Sequence, residues 1–213
     1  FLTGLNVNAY EITGFEITGK SAMLGSVDTG EILYGKNINE KVYPAAITNI
    51  MSAIVILENE KYDPNGKIAM TEKVLEDILG TGAAVSHLVQ GEKITQLDLL
   101  HMLLMCSYGD IGYLAADFYC GSRQAFVEEM NKTAGRLGLK NTHYTNPIGL
   151  HDENQYTTAQ DIYTLASYAI KNKTFTEDCA KSRYLVPATI PVRFKEITLY
   201  PIKSFGHSSF TIC

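Results

Sequence analysis

From Ile47 onward, apolar residues recur as Ile47, Ile50, Met51, Ile54 and Leu57, at intervals of three and four. That is the spacing of one face of an α-helix, and it predicts a buried helix over 46–59 with Pro44 just ahead of it, where a fixed φ and a missing N–H are tolerated. Leu97, Leu99, Leu100, Leu103 and Leu104 predict a second, mostly buried helix, opening through Gln90–Thr95 with Thr95 as N-cap and stopping near Cys106. Further helices are expected over 111–119, over 123–137 with Gly138 as C-cap, and over 161–172. Two short apolar runs around Asp28-Thr29-Gly30 read as a β-hairpin within 21–35. A polar turn over 62–67 leads into a strand at 68–70, and the Pro-punctuated, β-branched text beyond Tyr184 predicts short strands. Helices in the middle with strands on both sides make an α+β chain.

At 213 residues and 46% apolar composition the chain is long enough for one substantial core, and a single domain over 1–213 is expected. A net charge of -5 and a pI near 5.5 leave no basic footprint, so no nucleic-acid partner is expected. The longest apolar stretches are too short and too interrupted to span a bilayer, and no membrane anchor is visible. The chain begins at Phe1 without a charged start and apolar run, so any export signal is expected to have been removed or to lie outside it. Cys106, Cys120, Cys179 and Cys213 form no Cys-x-x-Cys pair, and the five histidines show no metal-binding spacing. The cysteines are expected to be ordinary thiols, mostly buried, with a disulfide as the lesser alternative. No metal or organic cofactor is expected.

Chemistry is most legible over 43–53, where Tyr-Pro-Ala-Ala-Ile-Thr-Asn-Ile-Met-Ser-Ala resembles Pro-Ala-Ser-x-Thr-Lys-Ile-Met-Ser-Ala, the opening of the nucleophile helix of serine penicillin-binding proteins. Residues three apart share a helix face, so in that frame a hydroxyl passes its proton to an amine one turn on. Here Ala46 stands at the serine position and Asn49 at the lysine position. A methyl group is no nucleophile, and an amide takes up no proton near neutral pH. The family's second motif, Ser-x-Asn, falls at Ser107-Tyr108-Gly109, where the serine is kept and the asparagine is a glycine. Its third, Lys-Thr-Gly, is absent. The nearest text is Lys203-Ser204-Phe205-Gly206, whose extra residue moves the glycine to the opposite strand face.

Between these places the chain resembles serine-type D-alanyl-D-alanine carboxypeptidases from about Ser21 to Pro187. The likeness is carried by Asp28–Tyr34, Gly91–Thr95, Leu137–Leu139, Asn141–Tyr144, Asn146–His151 and Tyr156–Asp161 in order. The resemblance implies a β-lactamase/transpeptidase-like fold, an antiparallel sheet with a helical cluster, incomplete after about residue 187 where the C-terminal strands would follow. It also implies an extracytoplasmic place in the bacterial cell envelope and a peptidoglycan stem peptide as the partner to consider. β-Lactams are not expected to acylate the chain.

No Ser or Thr has a Lys three positions later, so the Ser-x-x-Lys pair has not moved elsewhere. Thr48 and Ser52 lie on the same helix without a basic partner, Ser107 is expected to make a helix-to-loop hydrogen bond, and His151 to stabilise a loop. Three readings stay open: an inactive member of the family, an active serine peptidase with a relocated nucleophile, and a truncated or decayed gene product without a binding role.

Overall fold

The computed structural model describes residues 17–187 and the backbone of the strand 197–199. Its core is built on two helices. The first, α1 (Thr48–Leu57), has nine of its ten residues buried, so its polar Thr48, Asn49 and Ser52 must find partners inside the protein. The other is α3 (Gln96–Cys106), where Leu99, Leu100, Met102 and Leu103 are fully buried, each contributing about 1.5–3 kcal/mol of transfer free energy. Thr95 caps α3 as the sequence predicts. Its hydroxyl accepts from the Asp98 N–H while the Asp98 carboxylate accepts the Thr95 N–H, closing a capping box.

Around this pair pack α4 (Gly109–Cys120), α5 (Arg123–Arg136), α6 (Ala159–Ala169) and α7 (Lys173–Cys179). His101 of α3, fully buried, lies 2.6 Å from Asp178 of α7 and stacks at 3.5 Å on Tyr184, which ties the C-terminal elements to the core. Strands pair antiparallel in three two-stranded ladders: β1 (Ala22–Gly25) with β2 (Ile32–Lys36), β3 (Lys67–Ala69) with β4 (Lys93–Thr95), and β5 (Tyr184–Val186) with β6 (Ile197–Leu199). The α+β class therefore holds, although the described strands form separate ladders and not one sheet. Lys203–Gly206 and Cys213 lie outside the described residues.

Several boundaries differ from the sequence expectation. The helix expected from Ala46 starts as a 3₁₀ turn, Ala45–Ile47, before α1 takes over. The short α2 (Glu72–Asp77), α7 and β4 were not expected. Leu137 is the C-cap of α5, and Gly138 follows it at φ +75°. The expectation of mostly buried cysteines is corrected: Cys106 and Cys120 are half-buried, Cys179 is exposed, and none of the three is in a disulfide. Each is the last residue of a helix, where the chain leaves the core.

Candidate functional site

Pro44 and a left-handed Ala45 (φ +46°) turn the chain into the 3₁₀ turn that carries Ala46, whose methyl group is half-buried. One turn on, Asn49 is 3% exposed and donates through Nδ2 to the Leu103 carbonyl of α3 at 3.3 Å. Its Oδ1 is buried without a hydrogen-bond partner among the described residues. The Leu103 carbonyl also receives the Ser107 N–H at 3.1 Å, because Ser107 ends α3 in the left-handed conformation (φ +54°). One acceptor thus joins the first-motif and second-motif positions. The Ser107 backbone N–H makes the bond that ends α3, four residues back along the helix.

Gly109 begins α4 and donates its N–H to the Ala84 carbonyl at 2.8 Å. Beside it the Asp110 carboxylate accepts the Ser86 N–H at 3.0 Å, the Ser86 hydroxyl at 2.6 Å and the Ile111 N–H at 3.0 Å. Residues 83–86 are therefore strapped over the α3–α4 junction. Burial raises the Asp110 pKa, with the Ser86 hydrogen bonds opposing it. Burial also raises the Tyr108 phenol, and neighbouring Cys106 adds to the shift, so Tyr108 is moved away from service as a base.

Packed against this junction is the segment 144–157, several of whose backbone polar groups are met by its own side chains. The Asn146 carboxamide accepts the Leu150 N–H and donates to the Leu150 carbonyl, both at 2.9 Å. The Gln155 side-chain oxygen Oε1 accepts the N–H groups of Thr145 and Asn146 at 2.9 Å. Two further bonds fasten the segment to α1: Gln155 Nε2 to Thr48 Oγ1 at 3.3 Å and Ser52 Oγ to the Pro147 carbonyl at 2.6 Å. Gly149 sits against Ala45 so closely that a Cβ there would fall 2.5 Å from the Ala45 carbonyl carbon. Thr48 and Ser52, the alternative hydroxyls, are 0% and 1% exposed and already bonded. His151 is exposed and meets the Tyr43 ring edge-on at 4.6 Å.

The Leu103 carbonyl thus links Asn49 to Ser107, and the 146–150 loop approaches Ala45–Ala46 through Gly149 and Gly109 through Ile148. Sequence reading missed Asn146, Gln155, Ile148 and the 83–86 strap; Asn146–His151 was noticed only as a block of likeness. Among the described residues no three His, Cys, Asp or Glu side chains gather as a metal site, and no helix is long and apolar enough to cross a membrane.

A profile of the family described as D-alanyl-D-alanine carboxypeptidase matches residues 7–195. The chain is 39% identical over 160 residues to the D-alanyl-D-alanine carboxypeptidase DacF of Bacillus subtilis, covering 74% of this chain and 40% of that protein. It is 31% identical over 153 residues to the D-alanyl-D-alanine carboxypeptidase of Streptomyces sp. strain K15, covering 69% of this chain and 53% of that one. The crystal structure of the Streptomyces K15 DD-transpeptidase superposes with a TM-score of 0.83 at 27% identity, covering 89% of this chain and 76% of that chain. The chain therefore spans about half or less of the length of these curated relatives. With most of its length inside the family profile, the chain belongs to the D-alanyl-D-alanine carboxypeptidase family.

Proposed function

We propose that this chain is a catalytically inactive member of its family, acting in peptidoglycan metabolism at the cell envelope by binding a stem peptide in a cleft that no longer transfers acyl groups. The observation that carries the reading is the first turn of α1. Ala46 offers only a methyl group, and Asn49 spends its amide N–H on the Leu103 carbonyl. In the intact chemistry a serine at position 46 would attack the D-alanyl-D-alanine peptide bond, a lysine at position 49 would take its proton, and water would release the acyl-enzyme. None of those steps has a group to perform it here, and the nearby hydroxyls of Thr48 and Ser52 are buried and bonded. Binding is favoured over decay by the intact hydrogen bonding of the 144–157 segment, since loss of the scaffold would leave those buried groups unmet. The whole of 1–213 is proposed to act as one domain.

The test is intact-mass analysis after incubation with a penicillin, alongside titration with an acyl-D-alanyl-D-alanine peptide. The expected result is no covalent adduct and saturable peptide binding. A stoichiometric adduct would overturn inactivity, and an adduct mapped to Ser107 would identify a relocated nucleophile.

A further inference from the structure

Gly109 and Gly112 lie on the face of α4 that looks toward the 146–150 loop, and both are filled from outside. A Cβ at Gly109 would stand 2.7 Å from Ala83 Cβ, 3.0 Å from Ile148 Cδ1 and 3.1 Å from Ile78 Cδ1. At Gly112 it would overlap Ile148 Cγ2 outright. We infer that Ile148 is a plug, its side chain occupying the hollow left by the two glycines and so closing the space beside position 109 to a ligand.

Neither neighbour can step aside cheaply. Ala83 has no rotamer to change, and its backbone is held by the Gly109 N–H on Ala84, the Ser86–Asp110 bonds and the Thr81 hydroxyl on the Ile78 carbonyl at 2.8 Å. Ile148 is β-branched and stiff at χ1, so turning Cδ1 away from Gly109 leaves Cγ2 over Gly112. Its own N–H is held by Asn146 Oδ1 at 3.3 Å. A side chain of asparagine size at position 109 therefore has no room while Ile148 stays. Position 109 is thus walled by methyl groups of Ile78, Ala83 and Ile148 and has no side-chain donor of its own.

The packing claim stands by itself; its consequence for ligands rests on the stem-peptide reading above. The test is a double-mutant cycle on the full chain, followed by thermal melting. Gly112→Ala should lower the melting temperature by roughly 2 to 12 °C through overpacking. In the Ile148→Ala background the same change should raise it by about 2 to 4 °C, since alanine suits a helix better than glycine once space exists. If Gly112→Ala does not fold, folding of the double variant is the same reversal. An equal effect of Gly112→Ala in both backgrounds overturns the plug. Titration with an acyl-D-alanyl-D-alanine peptide then reads closure: tighter binding by Ile148→Ala than by the parent supports it, and equal affinity overturns it. No binding to either, with the cycle reversed, overturns the stem-peptide reading alone, and the plug stands on the cycle.

Discussion

Gly149 joins the 146–150 loop to the turn that carries Ala46, and replacing it with alanine separates two costs that the structure keeps distinct. The residue is left-handed (φ +80°), a conformation that costs a residue with a Cβ roughly 1–2 kcal/mol. The added methyl would also lie 2.5 Å from the Ala45 carbonyl carbon and nearer still to its oxygen, both backbone atoms. Relieving that overlap means parting the loop from the turn. The Ser52–Pro147 hydrogen bond would break and the Gln155–Thr48 bond would lengthen, adding about 1–3 kcal/mol where buried groups lose their partners. The total, about 2–5 kcal/mol, corresponds to a melting temperature lower by roughly 4–20 °C for a chain of this size. Gly138 supplies the control, being left-handed at φ +75° with no atom within 4 Å of an added Cβ. Gly138→Ala should show the conformational cost alone, roughly 2–8 °C. Differential scanning calorimetry of both variants decides the matter: melting points within about 2 °C of one another would refute the close approach of the loop to the 3₁₀ turn.

Gln155→Leu should lose about 2–5 kcal/mol, because the part-buried N–H groups of Thr145 and Asn146 are left without an acceptor, whereas Gln155→Glu keeps it; urea unfolding with equal losses for the two variants would contradict this. Desolvation first, and the Asp178 carboxylate second, push the Cys179 thiol up to about 11 from an ordinary 9.0, even though the residue as a whole is exposed. At pH 8 its alkylation by iodoacetamide should then be on the order of a hundredfold slower than that of an ordinary thiol, measured with Cys106, Cys120 and Cys213 changed to serine, and a rate flat between pH 8 and pH 10 would be inconsistent with the shift. Hydrogen bonds from Lys73 and then Arg123 hold Asp77 below the usual carboxylate value. The folded pKa lies under the unfolded one, so the stabilisation is present above about pH 4 and is lost as the pH falls through the folded value. Arg123→Leu should move the carboxyl titration seen by NMR upward, and an unmoved titration would remove Arg123 from the account.

Elements whose signal is local were legible in the sequence. Thr95 with Asp98 announces a helix start, Asp28-Thr29-Gly30 announces a turn, and the apolar spacing of α1 and α3 follows from burial of a stripe. The short α2 and α7 escaped because six or seven residues hold fewer than two turns of period, although Thr71 and Asn172 both act as N-caps. The 3₁₀ start of the Ala46 helix escaped because the left-handed Ala45 is imposed by the loop packed on it, which no nearby residue announces. At the site, the identities of Ala46, Asn49, Ser107 and Gly109 were readable, but their surroundings were not. Ile148 fills space created 39 and 36 residues earlier by Gly109 and Gly112, a fit of shapes that has no one-dimensional signature.

The β1–β2 ladder rests on α6 through a bond from the Tyr163 hydroxyl to the Ser26 carbonyl at 2.8 Å, spanning 137 positions of chain. Two strands alone are marginal in water, so the hairpin gains a lasting partner only when α6 exists. During synthesis at about 5–20 residues per second, that partner emerges roughly 7–30 s after the hairpin does. The helices α3, α4 and α5 adjoin one another along the chain and close early by comparison. The β1–β2 hairpin is therefore made early but secured late, and a chaperone would meet it unpaired in the interval.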